Sequence, residues 1–190
     1  MKEVEPIRDL KKVQAMKNYL KGKNMRDYCL FVVGLNLALR ISDLLSICWE
    51  DVIDEKRKFK SIKIIEGKTK KRRTLILNKE CQKVLKEYIR ELDQEGKALK
   101  GPLFKSRKGG RAITRQRASG ILKEAALAVG ITEEISTHSL RKTWGYHAWK
   151  AGFNPAIIME TLNHSNLAVT KRYLGITQSD VNDLYESHVI

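Results

Sequence analysis

The chain has 190 residues, of which 42% are apolar and 31% charged, enough for one domain with a sizeable core and a squeeze for two. A formal net charge of +15 points to a polyanionic partner, since Lys and Arg release condensed counterions when they neutralise phosphates, although charge alone fits a ribosomal protein equally well. The longest apolar stretch, residues 29–39, is broken by Asn36 and falls short of the roughly 20 residues a membrane span requires; residues 1–5 carry no signal-peptide core, so a cytoplasmic protein without a membrane partner is expected.

In chain order, Leu10, Val13, Met16 or Lys17, and Leu20 share one helical face, Gly22 ends that pattern, and Asn24 caps a second helix that is apolar almost all round from Tyr28 to Leu39. Arg40 follows at the junction, and Ser42 is the expected N-cap of a short helix through Asp43, Leu44, Leu45 and Ile47. After Trp49 the period changes to two, with Phe59, Ile62 and Ile64 in one run and Leu75, Ile76 and Leu77 in another. The segment 66–71 between them predicts a basic hairpin turn.

Asn78 caps a helix with the stripe Val84, Leu85, Tyr88, Ile89 and Leu92, ending at Gly96. Residues 105–113 hold Gly109-Gly110 and no apolar period, which predicts a mobile loop before a helix over about 114–129. Further helices are expected from Thr137 to Gly152, from Asn154-Pro155, over about 167–174 and over 179–186. The fold class is therefore mainly α with a small antiparallel β-sheet (α+β), in one unit over 1–190.

Cys29, Cys48 and Cys81 are odd in number with no C-x-x-C spacing, which suggests neither a disulfide framework nor a zinc knuckle; Cys29 and Cys48, among apolar neighbours, read as core. The basic residues are unevenly spread. From Lys56 to Arg73 there are ten against one acid, Glu66, and from Lys100 to Arg117 seven against none. Both segments read as nucleic-acid-facing, with Lys70, Lys71, Arg72, Arg73, Lys105, Arg107, Lys108, Arg111, Arg115 and Arg117 the expected contacts, against the plainer alternative of solvated faces.

His138 and Arg141 lie three apart, hence on one helix face near an N-terminus that attracts anions; a surface histidine beside a solvated arginine would share that spacing. Arg40, after a nearly continuous apolar run, reads as a guanidinium emerging towards an anion, as a partner of Asp43, or as both, with Asp43 orienting the fork. His164 and Tyr173 follow nine residues apart. Cationic donors around a phenol suit a phosphodiester, whose attack by oxygen builds negative charge on non-bridging oxygens.

The runs Ala38-Leu39-Arg40-Ile41-Ser42-Asp43-Leu44-Leu45, Gly67-Lys68-Thr69, Thr137-His138-Ser139-Leu140-Arg141-Lys142-Thr143 and Leu162-Asn163-His164-Ser165, leading to Thr170 and Tyr173, resemble the catalytic domain of a tyrosine recombinase of the phage-integrase family. The resemblance covers nearly the whole chain. It implies that Arg40 and Arg141 clamp the scissile phosphate, Tyr173 is the nucleophile, His138 and His164 complete the pocket and Lys68 is the mobile acid, with Lys70 a substitute if the turn is registered differently. A phenol of pKa about 10 needs a base, for which His138 is the candidate.

The implied activity is site-specific DNA recombination through a 3′-phosphotyrosyl intermediate, without metal, ATP or other cofactor, on double-stranded DNA and by a tetramer assembled there, a monomer being the alternative off DNA. Type IB topoisomerase-like relaxation and non-catalytic DNA binding are the rival readings. The sequence departs from the family at Asn163, where glycine is usual, and at Asp43, where glutamate is commoner. The family's usual amino-terminal clamp domain is expected to be absent.

Overall fold

A computed structural model describes residues 4–189; residues 1–3, where a leader would begin, lie outside the described part. The described residues form α1 (Leu10–Lys23), α2 (Met25–Leu37), α3 (Ile41–Leu45), α4 (Trp49–Val52), β1 (Ile62–Ile65), β2 (Arg72–Leu75), α5 (Lys79–Gln94), α6 (Arg115–Ala128), α7 (Thr137–Lys150), α8 (Pro155–Thr161), α9 (Leu167–Leu174) and α10 (Gln178–Ser187). The two strands pair antiparallel with Ile62 opposite Leu75 and Ile65 opposite Arg72. None of the described helices is long and apolar enough to cross a membrane.

α2 is the central element. Its residues from Asp27 to Leu35 are all buried, so it is covered on every side, with α1, α5 and α7 packed around it. Asn24 ends α1 and caps α2 through its side-chain oxygen on Asp27 N–H, one residue serving two helices. On α1 the core stripe is Val13, Met16 and Leu20, while Leu10, expected inside, is 65% exposed because it sits in the open first turn. On α5 the stripe gains Cys81, which is fully buried, whereas Cys48 is only partly buried and stands at the N-cap of α4.

Three local expectations are corrected. The N-cap of α3 is Arg40, at φ −64° and ψ 145°, and Ser42 lies inside the helix; the chain leaves α2 through a left-handed Ala38 at φ 50°, which delays the restart by fewer residues than the Ser42 signal implied. Ile76 and Phe59 fall outside the strands, Phe59 making only a single bridge to Ile53. Residues 105–113 are a closed turn, with Ser106 N–H donating to Arg111 O and Ile113 N–H to Phe104 O. A hairpin whose side chains nearly all face water shows no alternation in sequence.

α2 and α7 approach closely at Gly34, where a Cβ would stand 2.7 Å from Leu140 Cδ1 and 3.1 Å from Leu44 Cδ2. Gly34→Val is expected to destabilise the fold by about 1–3 kcal/mol, as overpacking does. An unchanged urea midpoint would contradict that close approach.

Candidate active site

α7 begins at a capping box, Ser136 accepting from His138 N–H and Ser139 Oγ accepting from Ser136 N–H, so His138 stands in the first turn beside the helix's exposed N–H groups. One turn on, Arg141 is buried at 3% exposure and bridges two backbone oxygens: Nη1 donates to Ala38 O at 2.5 Å and Nη2 to Leu162 O. The left-handed Ala38 is what offers its carbonyl inwards, a strained backbone in service of the site. Arg141 thereby ties α7 to the end of α2 and to the end of α8.

From the other side, the loop after α8 delivers His164, whose Nδ1 lies 3.1 Å from the hydroxyl of the fully buried Thr170 on α9. α9 also carries Tyr173, whose ring meets the His164 ring edge-on at 4.7 Å. The Lys142 ammonium stands 5.6 Å from the centre of the same tyrosine ring. α9 can sit this close to α7 because Gly145 leaves room for Leu174 and Leu162.

Electrostatics follow from this packing. Burial raises the Tyr173 phenol above its ordinary value, opposed by the charge and hydrogen bond of Arg141 and by the charge of Arg40, so at rest it is a neutral phenol. His164 is pushed down to about 4 by burial and by the charges of Arg141 and Arg40. His138 is lowered too, by partial burial and then by Arg141, Lys142 and Arg40. Both rings are therefore neutral near pH 7, and a neutral imidazole can accept a proton.

Arg40 does not take the expected Asp43 as partner. Its Nη1 donates to Glu66 Oε2 at 2.7 Å, while the buried Asp43 accepts from Gly67 N–H at 3.0 Å and so holds the β1–β2 turn. Glu66, fully buried, also takes Arg73 Nη1 at 2.7 Å, Thr69 Oγ1 at 2.7 Å and Asn163 Nδ2 at 2.6 Å. Burial alone would raise this carboxyl, but hydrogen bonds from Arg73, Thr69, Asn163 and Arg40 outweigh it and hold it at about 2. Sequence reasoning missed Glu66; the available signal was a lone acid among ten bases, next to Gly67-Lys68.

The structure thus brings Arg40, Arg141, His164 and Tyr173 together, with His138 one helical turn before Arg141 at the exposed head of α7, near enough for the Arg141 and Arg40 charges to act on both imidazole rings. Lys68 is exposed on the β1–β2 turn, with Lys70, Lys71 and Arg72 also exposed. Arg73, expected among the outward contacts, turns in to Glu66 with its side chain only 16% exposed. Lys105, Arg107, Lys108, Arg111, Arg115 and Arg117 all face solvent along the closed turn and the start of α6. Among the described residues no three His, Cys, Asp or Glu side chains group as metal ligands.

The sequence matches the phage integrase family over residues 8–179. It is 40% identical over 183 residues to the probable integrase/recombinase YoeC of Bacillus subtilis, covering 96% of each chain. It is 26% identical over 163 residues to the tyrosine recombinase XerD of Corynebacterium glutamicum, covering 85% of this chain and 52% of that one, so it spans about half the length of such relatives. Among solved structures, the XerA recombinase superposes with a TM-score of 0.77 at 20% identity over 99% of this chain and 65% of the other. The XerH site-specific recombinase, in a post-cleavage complex with a palindromic difH substrate, gives 0.73 at 19% identity over 97% and 53%. These likenesses share the helical fold with its small sheet, and by sequence the chain belongs to the phage integrase family of tyrosine recombinases.

Proposed function

We propose that the protein recombines double-stranded DNA at specific sites by cleaving and rejoining strands through a 3′-phosphotyrosyl intermediate. The observation that carries this is the meeting of two arginines, two neutral histidines and one half-buried tyrosine at the junction of α3, α7 and α9. Tyr173 Oη attacks phosphorus and its proton passes to His138; the bond from phosphorus to the 5′ oxygen breaks, and Lys68 protonates that oxygen. Arg40 and Arg141 stabilise the charge growing on the non-bridging oxygens, and His164 donates a further hydrogen bond.

The reverse attack by the 5′-hydroxyl of another strand completes exchange, because the phosphotyrosyl bond keeps the energy of the broken one. Relatives named recombinases and integrases favour strand exchange over relaxation or passive binding. The exposed cations of residues 105–117 and of the β1–β2 turn hold DNA by its backbone.

Copies associate on DNA through α10. None of its residues is buried, and it exposes Val181, Leu184 and Tyr185 while Lys150 holds its first turn through Asp180 at 2.7 Å. An apolar groove of 530 Å³ lined by Val13, Leu35, Trp144, Phe153 and Ile157 supports this reading, as a surface that would receive a second copy's helix.

Incubation with a pool of nicked duplexes of randomised sequence, followed by denaturing electrophoresis, is expected to yield a covalent protein–DNA adduct that Tyr173→Phe loses by at least about 10⁴-fold. An adduct that survives in Tyr173→Phe would overturn the assignment.

A further inference from the structure

The Glu66 carboxylate is costly to bury, and replacing such a charge cluster by apolar residues of similar volume is often neutral or stabilising, so packing does not account for it. Its surroundings do. Oε2 alone collects three donors, each from a different part of the site: Arg40 at the head of α3, Thr69 beside Lys68, and Asn163 beside His164.

Asn163 adds a second link, Nδ2 to Thr69 Oγ1 at 2.9 Å, and reaches across because its backbone is left-handed at φ 47°. The turn itself closes with Glu66 N–H on Lys71 O and Lys70 N–H on Glu66 O. On its other flank Gly67 is held by Asp43. Lys68 is therefore exposed between two anchored neighbours, and Arg40 is gripped at one terminal nitrogen.

We propose that Glu66 is a positioning residue for strand cleavage, its buried carboxylate aiming the Arg40 guanidinium at the phosphate and holding the Lys68 turn in register with the His164 loop. This rests on the reading that Arg40 and Lys68 act on the scissile phosphate. Oε1 takes Arg73, so one anion offsets two arginines and leaves the outward nitrogens of Arg40 for DNA.

The test uses Glu66→Gln and Glu66→Asp in the full chain, with duplexes first selected as adducts of the unaltered protein. Single-turnover cleavage by Glu66→Gln is expected to slow about 100-fold, the loss typical of a group misplaced by an ångström, with DNA affinity unchanged within about twofold. Glu66→Asp, which keeps the charge on a shorter arm, is expected to recover part of the rate. A duplex with sulfur in place of the bridging 5′ oxygen needs no proton from Lys68, so the share of the defect due to the turn disappears on it and the share due to Arg40 remains.

Cleavage by Glu66→Gln at or above the unaltered rate overturns the proposal, the faster case showing that the carboxylate competes with phosphate. So does a loss of DNA affinity as large as the loss of rate. A second readout is independent of catalysis: the Arg40 side-chain N–H resonance, identified by its loss in Arg40→Ala, is expected to be protected from exchange only when Glu66 is present. If the unaltered protein forms no adduct, the function reading fails, while the resonance still decides whether Glu66 fixes Arg40.

Discussion

Arg141→Ala is expected to lower strand cleavage by at least about 10³-fold and to cost roughly 2–4 kcal/mol of stability, because it removes a charge aimed at the transition state and strands two buried carbonyls. The two losses have separate origins. Ala38 O and Leu162 O each lose the guanidinium that satisfies them, in surroundings that admit little water. Arg141→Lys keeps the charge but has a single ammonium that cannot span both carbonyls and still face Tyr173. It is expected to recover part of the stability and little of the rate. Single-turnover adduct formation and urea unfolding measure the two effects, and an Arg141→Lys protein that cleaves at the unaltered rate would sink the clamp assignment.

Lowering the pH is expected to stop cleavage before it unfolds the protein. On the proposed mechanism His138 must be neutral to take the Tyr173 proton, so the rate is expected to fall about tenfold per pH unit below its pKa, which lies under the ordinary 6.5. His164 acts on stability. Its folded value of about 4 lies below its unfolded 6.5, so the unfolded chain binds that proton first and stability is lost as pH falls from 6.5 towards 4. The loss is about 2 kcal/mol, allowing for its partial exposure to water. Glu66 follows at lower pH, its contribution being present above 4.5 and lost as pH approaches 2. Rate and unfolding midpoints across pH 4–8 test the order, and a flat rate over that interval would remove His138 as the base.

Much of the helical frame was legible because its determinants are local: the Asn24 and Asn78 caps, the all-round apolar run of α2 and the Asn154-Pro155 start of α8 need no tertiary information. The pairing of charges was not. Arg40 with Asp43 three residues on is the natural guess from spacing, yet the partner is Glu66, 26 residues away across the hairpin. Arg73 reads as one more base in a basic run, and only the β1–β2 register turns it towards the same carboxylate. Asn163, noted only as standing where the family usually has glycine, matters for its side chain, which no periodicity argument could aim.

Among the described residues two separate apolar clusters divide the molecule unequally. The larger runs from Ile7 to Leu140, whereas Tyr173 packs with a small set in which only Ala38, Ile158, Leu162 and Leu174 are fully enclosed. Lifting α9 off that small seat would expose far less oil to water than melting the rest, so amide exchange in α9 is expected at a fraction of the global unfolding free energy. On the proposed mechanism the Tyr173 phenol would then ride on a detachable carriage, and whatever grips the chain just beyond it would act as a throttle on turnover.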